Sequence, residues 1–350
     1  MDKTGAVFIN MDSADMFMEI AEIISAGQDI PAEKWEQLFA TEGYRILDWK
    51  PARLESVKKN MLIAFSPART AERDSILSAK IPLQDAAYFD RIMILNFTDM
   101  LKHWNELKNF RRTYDFAGME AKSIRKLKNF LLDPVDSLIV FPSVAIVCAD
   151  PEARSKSKGI VIDLNVMYKD PDGIIKLMAH EMFHSYRRHF ENSDFIQSSP
   201  VITELDNLQN EGIADMIDKG DDLTLLFKQI GYPDEIAVMY KETFENTSAM
   251  LAEFDRITVS YLDGKIGEEE LSVKIKGYFP FGGHPNGYFI TRMLQRHGLR
   301  GEVIENFVNP VAFLRTYNKA AEKEGIHVFS PRFMNYMARQ ESKYLIHSPE

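Results

Sequence analysis

Two histidines and a glutamate form an H-E-x-x-H pattern, in which His180, Glu181 and His184 are the defining positions. Residues four apart on an α-helix lie on the same face, one turn above the other. Both imidazoles can therefore reach one zinc ion, while the glutamate is placed to accept a proton from a water molecule on that metal. The spacing predicts a zinc-dependent hydrolase with His180 and His184 as metal ligands and Glu181 as the general base.

The residues around this pattern predict that it lies within a helix. The segment 173–188 has apolar side chains at helical spacing, and it contains no proline or glycine after its first residue. It follows Asp170 and Pro171, which are typical of a helix N-cap and a first turn. Two histidines that bind no metal are the alternative.

A catalytic zinc ion needs three protein ligands and one open position, so a third ligand is expected elsewhere in the chain. The segment 204–217 is acidic, has apolar residues at helical spacing, and contains the run N-E-G-I-A-D from Asn210 to Asp215. This run resembles the N-E-x-x-x-D signature of the thermolysin-like gluzincins and is similar to the N-E-G-x-A signature of the aminopeptidase-N-like gluzincins. The resemblance implies that Glu211 is the third ligand, and that Asp215 and Asn210 lie in the outer shell that orients the ligands.

A solvated acidic helix face is the alternative for this segment, and it fits Asp206 better than Glu211. The small residues Gly212 and Ala214 suit a helix that packs close against the motif helix. Between His184 and Glu211 lie 26 residues, which is more than the two gluzincin families usually place there. The chain therefore resembles a divergent gluzincin from a family of zinc-dependent peptidases.

A glycine-flanked turn contains His284 and precedes a predicted helix over Tyr288–Arg296. This layout resembles the aminopeptidase-N-like helix that begins with Y-x-x-G and carries a transition-state tyrosine, with His284 in place of the tyrosine. The resemblance implies that His284, or Tyr288 one turn along, donates a hydrogen bond to the oxyanion that forms during attack. A turn histidine with no catalytic part is an alternative of equal weight.

Composition and net charge limit the classes of protein to which this chain can belong. The chain has 350 residues, of which 45% are hydrophobic, and it lacks the run of ~18 apolar residues that a membrane span needs. Its net charge of −10 disfavours nucleic acid as a partner. We expect a soluble enzyme, cytoplasmic or exported, with one Zn²⁺ per chain and a peptide or protein substrate. The sequence leaves the compartment and the oligomeric state open.

Secondary-structure signals predict an α+β protein that is predominantly helical, with a zincin-like catalytic core. Residues 1–132 are predicted to form a helical N-terminal region, and 133–350 the catalytic region, in which a small sheet precedes the H-E-x-x-H helix. The strand candidates are Ser137–Cys148 and Gly159–Val166, with a polar, basic loop over Ala149–Lys158 between them. By resemblance to zincins, Gly159–Val166 would be the edge strand that pairs with an extended substrate. An ordinary internal strand is the alternative.

Two functions besides a peptidase fit the same residues. One is a metal-dependent amidohydrolase acting on a non-peptide amide, which the sequence does not separate from a peptidase. The other is a catalytically inactive zincin scaffold, against which the intact Glu181 argues because a purely structural metal site has no use for a general base. An exopeptidase is less favoured, since no G-x-M-E-N segment precedes the zinc-binding pattern.

Overall fold

A computed structural model of the chain describes residues 9–82, 85–132 and 141–345. The strands are β1 (Ile9–Asn10), β2 (Val144–Val147), β3 (Ala153–Lys156) and β4 (Gly159–Asp163). The helices are α1 (Asp12–Ser25), α2 (Ala32–Ala40), α3 (Glu42–Leu47), α4 (Pro51–Phe65), α5 (Thr70–Ser78), α6 (Ala86–Lys102), α7 (Trp104–Thr113), α8 (Phe116–Leu127), α9 (Leu164–Lys169), α10 (Gly173–Arg187), α11 (Ser193–Ile196), α12 (Pro200–Asp218), α13 (Leu225–Ile230), α14 (Asp234–Glu245), α15 (Thr247–Leu262), α16 (Glu268–Ile275), α17 (His284–Arg296), α18 (Arg300–Glu305), α19 (Pro310–Glu324) and α20 (Pro331–Leu345). Short 3₁₀ helices lie at Pro67–Arg69, Lys128–Phe130 and Pro280–Gly283.

Helices make up most of the described residues, and a small sheet precedes the helix that carries the H-E-x-x-H pattern. The predicted α+β class, predominantly helical, is therefore confirmed. Within the described part of the chain, no helix is both long enough and apolar enough to cross a membrane.

The chain forms two compact units. The first comprises Met1–Asn129, Asp136–Ser185 and Leu226–Tyr232, and the second comprises Phe130–Val135, Tyr186–Leu225 and Pro233–Glu350, each as far as its residues are described. The functional division between residues 132 and 133 stays a prediction.

The first unit is built around the sheet, whose strand order is β1-β2-β4-β3. Strands β1, β2 and β4 are parallel, with Val144 opposite Ile160 in the register of β2 and β4, and β3 runs antiparallel to β4. Every residue of β2 and β4 is buried, as expected for strands covered on both faces. Among the helices of this unit, α1, α4 and α6 share an aromatic core formed by Phe17, Phe65 and Phe97.

The prediction that Gly159–Val166 is an edge strand is wrong. The strand β4 ends at Asp163 and lies between β2 and β3, so among the described strands the outer positions belong to β1 and β3. The segment Ala149–Lys158 is likewise not only a loop, because it contains β3. Of the predicted strand Ser137–Cys148, residues 137–140 lie outside the described residues, and β2 covers Val144–Val147.

Two buried or half-buried aspartates set the path from the sheet into the motif helix. Asp163 ends β4 and caps α9, because its Oδ1 accepts the backbone N–H groups of Asn165 and Val166 at 3.0 and 3.2 Å. Asp170 then accepts the N–H of Gly173 at 2.9 Å, where α10 begins. The predicted helix N-terminus at Asp170 is thus confirmed.

The second unit contains α12 and α17, which pack together more extensively than any other pair among the described helices. The last residue of α10, Arg187, belongs to this unit, and its guanidinium is almost completely buried. It forms a two-pronged ion pair with Asp206 on α12, and its Nε donates to the carbonyl of Phe307 at 3.0 Å. The interpretation of Asp206 as a solvated residue is therefore wrong, because this carboxylate is buried against a cation.

Candidate metal centre

The H-E-x-x-H residues lie within α10, as the apolar spacing predicts. The imidazole rings of His180 and His184 are 4.8 Å apart between centroids and nearly perpendicular, at 80°. His180 and Glu181 are buried, and His184 is partly exposed. Two imidazoles on one helix face, one turn apart, can present nitrogen atoms to the same metal ion.

The motif helix is anchored to the sheet of its own unit. Ser185, which directly follows His184, is buried, and its hydroxyl lies 2.8 Å from the hydroxyl of Ser155 on β3. The apolar residues of the same helix, Met178, Met182 and Phe183, are fully buried. This burial fixes the rotation of α10 and therefore the direction in which the imidazoles point.

In the second unit, three carboxylates lie along one face of α12. Glu211, Asp215 and Asp218 are spaced by four and three residues, which brings side chains onto the same face of a helix. The side chain of Asp215 is completely buried and that of Asp218 is 5% exposed. The sequence singled out Glu211 and Asp215 but missed Asp218, although the same helical spacing would have found it.

His284 lies against two of these carboxylates. Its Nδ1 is 3.0 Å from Oδ1 of Asp215, and its Nε2 is 3.2 Å from Oε2 of Glu211. The residue is the first of α17, which begins one turn earlier than the predicted start at Tyr288. Gly283 precedes it with a φ of 93°, a left-handed conformation that favours glycine. The structure thus brings His284 together with Glu211 and Asp215.

Two glycines, Gly212 and Gly287, allow α12 and α17 to approach each other closely. A Cβ atom at Gly212 would lie 2.5 Å from the carbonyl oxygen of Gly287, and one at Gly287 would overlap the carbonyl oxygen of Leu208. The hydroxyl of Thr291 donates to the carbonyl of Gly212 at 2.9 Å. The backbones of α12 and α17 are therefore in direct contact, and the close packing expected for Gly212 is made with α17.

Two further side chains of the second unit contact Asp215. The hydroxyl of Tyr240 donates to Oδ2 of Asp215 at 3.3 Å, and the ammonium of Lys219 lies 3.7 Å from Oδ1. Burial and the negative charge of Asp215 raise the pKa of the Tyr240 phenol well above its ordinary value. Burial alone would lower the pKa of Lys219, but the carboxylates of Asp218 and Asp215 outweigh it and raise that pKa. No signal in the sequence pointed to either residue.

The remaining predicted site residues have different surroundings. The hydroxyl of Tyr288 donates to the carbonyl of Gly220 at 3.3 Å, and burial raises the pKa of this phenol. Asn210 is partly exposed on α12, directly before Glu211. The catalytic role of Tyr288 stays a prediction, and so does the role of Asn210 in orienting the metal ligands.

The comparison with known families decides the class of protein. Residues 35–325 match the model of a family described as "Putative zinc dependent peptidase (DUF5700)". The chain belongs to this family. The matched range includes α10, α12 and α17. No curated protein and no solved structure matches the chain.

The donor groups suit the metal that the family description names. Imidazole nitrogens and carboxylate oxygens are typical zinc ligands, bound at about 2.0–2.2 Å. Oε2 of Glu211 and Nε2 of His284 are 3.2 Å apart, so a group bound at Glu211 would lie beside this imidazole. The residues present therefore fit a zinc ion.

Proposed function

We propose that this chain is a zinc-dependent peptidase of the gluzincin type, in which His180, His184 and Glu211 hold one Zn²⁺. The observation that carries the proposal is the pair of imidazoles on one face of α10, 4.8 Å apart, in a chain of a zinc-dependent peptidase family. Glu211 supplies the carboxylate that the downstream signature of gluzincins requires. The resemblance of Asn210–Asp215 to that signature supports the assignment.

In this mechanism Glu181 works as the general base. When bound, zinc lowers the pKa of a water molecule to near neutrality and polarises the scissile carbonyl. The carboxylate of Glu181 accepts a proton from the attacking water and then delivers it to the leaving amine. Its position between the two histidines of α10 is that of the general base in an H-E-x-x-H pattern. Burial of Glu181 strengthens this role, because electrostatic interactions are less screened away from water.

A hydrogen-bond donor for the oxyanion is supplied by His284. With Nδ1–H donated to Asp215, donation to the oxyanion needs a second proton on Nε2, which lies 3.2 Å from Oε2 of Glu211, so His284 acts in this role as an imidazolium. Tyr288 is the second candidate, but its hydroxyl donates to the carbonyl of Gly220 and would have to leave that partner. The geometry within the second unit therefore favours His284.

The substrate is an extended peptide, which we propose pairs with the outer edge of β3. Among the described strands β3 has the outer position of the sheet, next to β4, and several peptide-binding domains add an extended peptide at such a position. Ser155 of this strand contacts Ser185, the residue that follows His184. A peptide on β3 would therefore run beside the motif helix, and main-chain hydrogen bonds would bind it with little dependence on sequence.

The proposal is tested by metal analysis of the protein purified without chelators, followed by cleavage assays with a panel of quenched peptides. We expect about one zinc per chain and cleavage that stops when a chelator removes the metal. The matched control is Glu181→Gln, which should keep the zinc and lose the cleavage. A protein that holds no zinc overturns the proposal. Zinc without peptide cleavage favours an amidohydrolase or an inactive scaffold instead.

A further inference from the structure

The completely buried carboxylate of Asp215 is contacted by side chains from several elements of the second unit. Its Oδ1 lies 3.0 Å from Nδ1 of His284 and 3.7 Å from Nζ of Lys219, and its Oδ2 accepts the hydroxyl of Tyr240 at 3.3 Å. We propose that Tyr240 and Lys219 are positioning residues, which fix the Asp215 carboxylate and, through it, the ring of His284. The inference rests on the proposed function, because that function gives His284 its task.

The hydrogen bond from Tyr240 fixes the rotation of the carboxylate. A carboxylate can rotate about its last bond, and this rotation would turn Oδ1 away from Nδ1 of His284. Because Oδ2 is bonded to the phenol, Oδ1 stays directed at the imidazole. A histidine whose Nδ1–H is bonded to a carboxylate has its tautomer and ring orientation set. Tyr240 is itself held in place, since its ring packs against Phe281 with 5.3 Å between the ring centroids.

Lys219 offsets the charge of the carboxylates on α12. Glu211, Asp215 and Asp218 bring three acidic groups onto one helix face, and Asp215 among them is completely buried. The ammonium of Lys219 lies 2.7 Å from Oδ2 of Asp218 and is itself only 12% exposed. A nearby cation lowers the cost of burying these carboxylates. Lys219 therefore helps to hold Asp215 in its buried position beside His284.

The test compares Tyr240→Phe with a matched control, Tyr278→Phe. Both changes remove a phenolic hydroxyl that is bonded inside the second unit, but the hydroxyl of Tyr278 donates to the carbonyl of Met250. The first readout needs no zinc and no activity. It is the ¹⁵N NMR signal of His284 in the zinc-free protein labelled at histidine, assigned from its absence in His284→Gln.

We expect Nδ1 of His284 to give the signal of a nitrogen that carries a proton in the unaltered protein and in Tyr278→Phe. Tyr240→Phe should move this signal towards that of a nitrogen without a proton, because the Asp215 carboxylate is no longer held against it. The second readout is kinetic: Tyr240→Phe should lower kcat roughly tenfold, with KM and zinc content nearly unchanged. Lys219→Met should shift the His284 signal in the same direction, whereas Lys274→Met, which removes an exposed partner of Glu270, should not.

The two proposals fail in different ways. If the unaltered protein binds no zinc, the proposed function is overturned whatever the NMR spectrum shows. If zinc and cleavage are present but Tyr240→Phe leaves both the Nδ1 signal of His284 and kcat unchanged, the positioning role is overturned and the proposed function stands.

Discussion

The carbonyl oxygen of Gly287 occupies the space beside Gly212 where any other residue would place its Cβ atom, at a distance of only 2.5 Å. Gly212 directly follows Glu211 on α12, and Gly287 lies three residues after His284 on α17. The backbone contact between these helices therefore determines whether His284 can reach Glu211 and Asp215.

Replacing Gly212 with Ala should destabilise the protein by about 1–3 kcal/mol, because the added methyl group overpacks a site where backbone atoms cannot give way. Urea unfolding measures the change. Gly301→Ala is the matched control: this glycine lies in helix α18, and a Cβ atom there meets open space. It should be neutral or stabilise by up to ~1 kcal/mol, since alanine favours helices. Equal stability of both variants would contradict the packing argument.

Replacing Glu181 with Gln should leave zinc bound and the fold intact while lowering kcat by about 10²–10⁴-fold. The amide cannot accept the proton, and general acid–base catalysis typically contributes an effect of this size. Zinc content by elemental analysis and kcat on a quenched peptide are the measurements. Glu269→Gln, an exposed substitution on α16, should change neither. Loss of zinc from Glu181→Gln would show that this residue is a ligand and not the base.

Three carboxylates on α12 should respond differently to truncation. Glu211→Ala should sharply weaken zinc binding, because it removes one of three ligands, and Asp215→Ala should weaken it by roughly 10–100-fold. Asp206→Ala should instead lower stability by about 3–5 kcal/mol, because it removes the buried one of the two carboxylates that pair with Arg187, the other being Glu191. Competition with a chromogenic chelator gives the zinc affinity, and urea unfolding gives the stability. If a folded Asp206→Ala loses zinc and Glu211→Ala does not, the wrong carboxylate has been assigned.

His284→Ala should lower kcat by about 10²-fold or more, with KM and zinc content nearly unchanged. This signature belongs to a group that interacts with the transition state and contributes little to ground-state binding. Steady-state kinetics with metal-loaded protein measures it. Tyr288→Phe should have a smaller effect, because its hydroxyl already donates to the carbonyl of Gly220. If Tyr288→Phe shows the larger loss of kcat, the tyrosine is the donor and His284 is not.

Local patterns in the sequence were sufficient to predict which residues share one face of a helix, because helical periodicity alone decides this. The four-residue spacing of His180 and His184, and that of Glu211 and Asp215, places each pair on one face of its helix whatever surrounds it. The structure confirms that both segments are helical, as α10 and α12. The small sheet ahead of the motif confirms the fold class. Propensity and capping at Asp170 act over a few residues, so a single sequence reveals them.

Tertiary structure alone decided which strands and side chains meet. The polar segment Ala153–Lys156 has no apolar alternation, yet it pairs with β4 and displaces that strand from the edge of the sheet. The contact of His284 with Asp215 joins residues 69 positions apart, and Tyr240 reaches the same carboxylate from a third helix. Such contacts follow from burying the apolar faces of many elements at once, and this free energy is summed over the whole core. A helix face is set by the backbone of its own segment, but its partner is set by the packing of the entire unit.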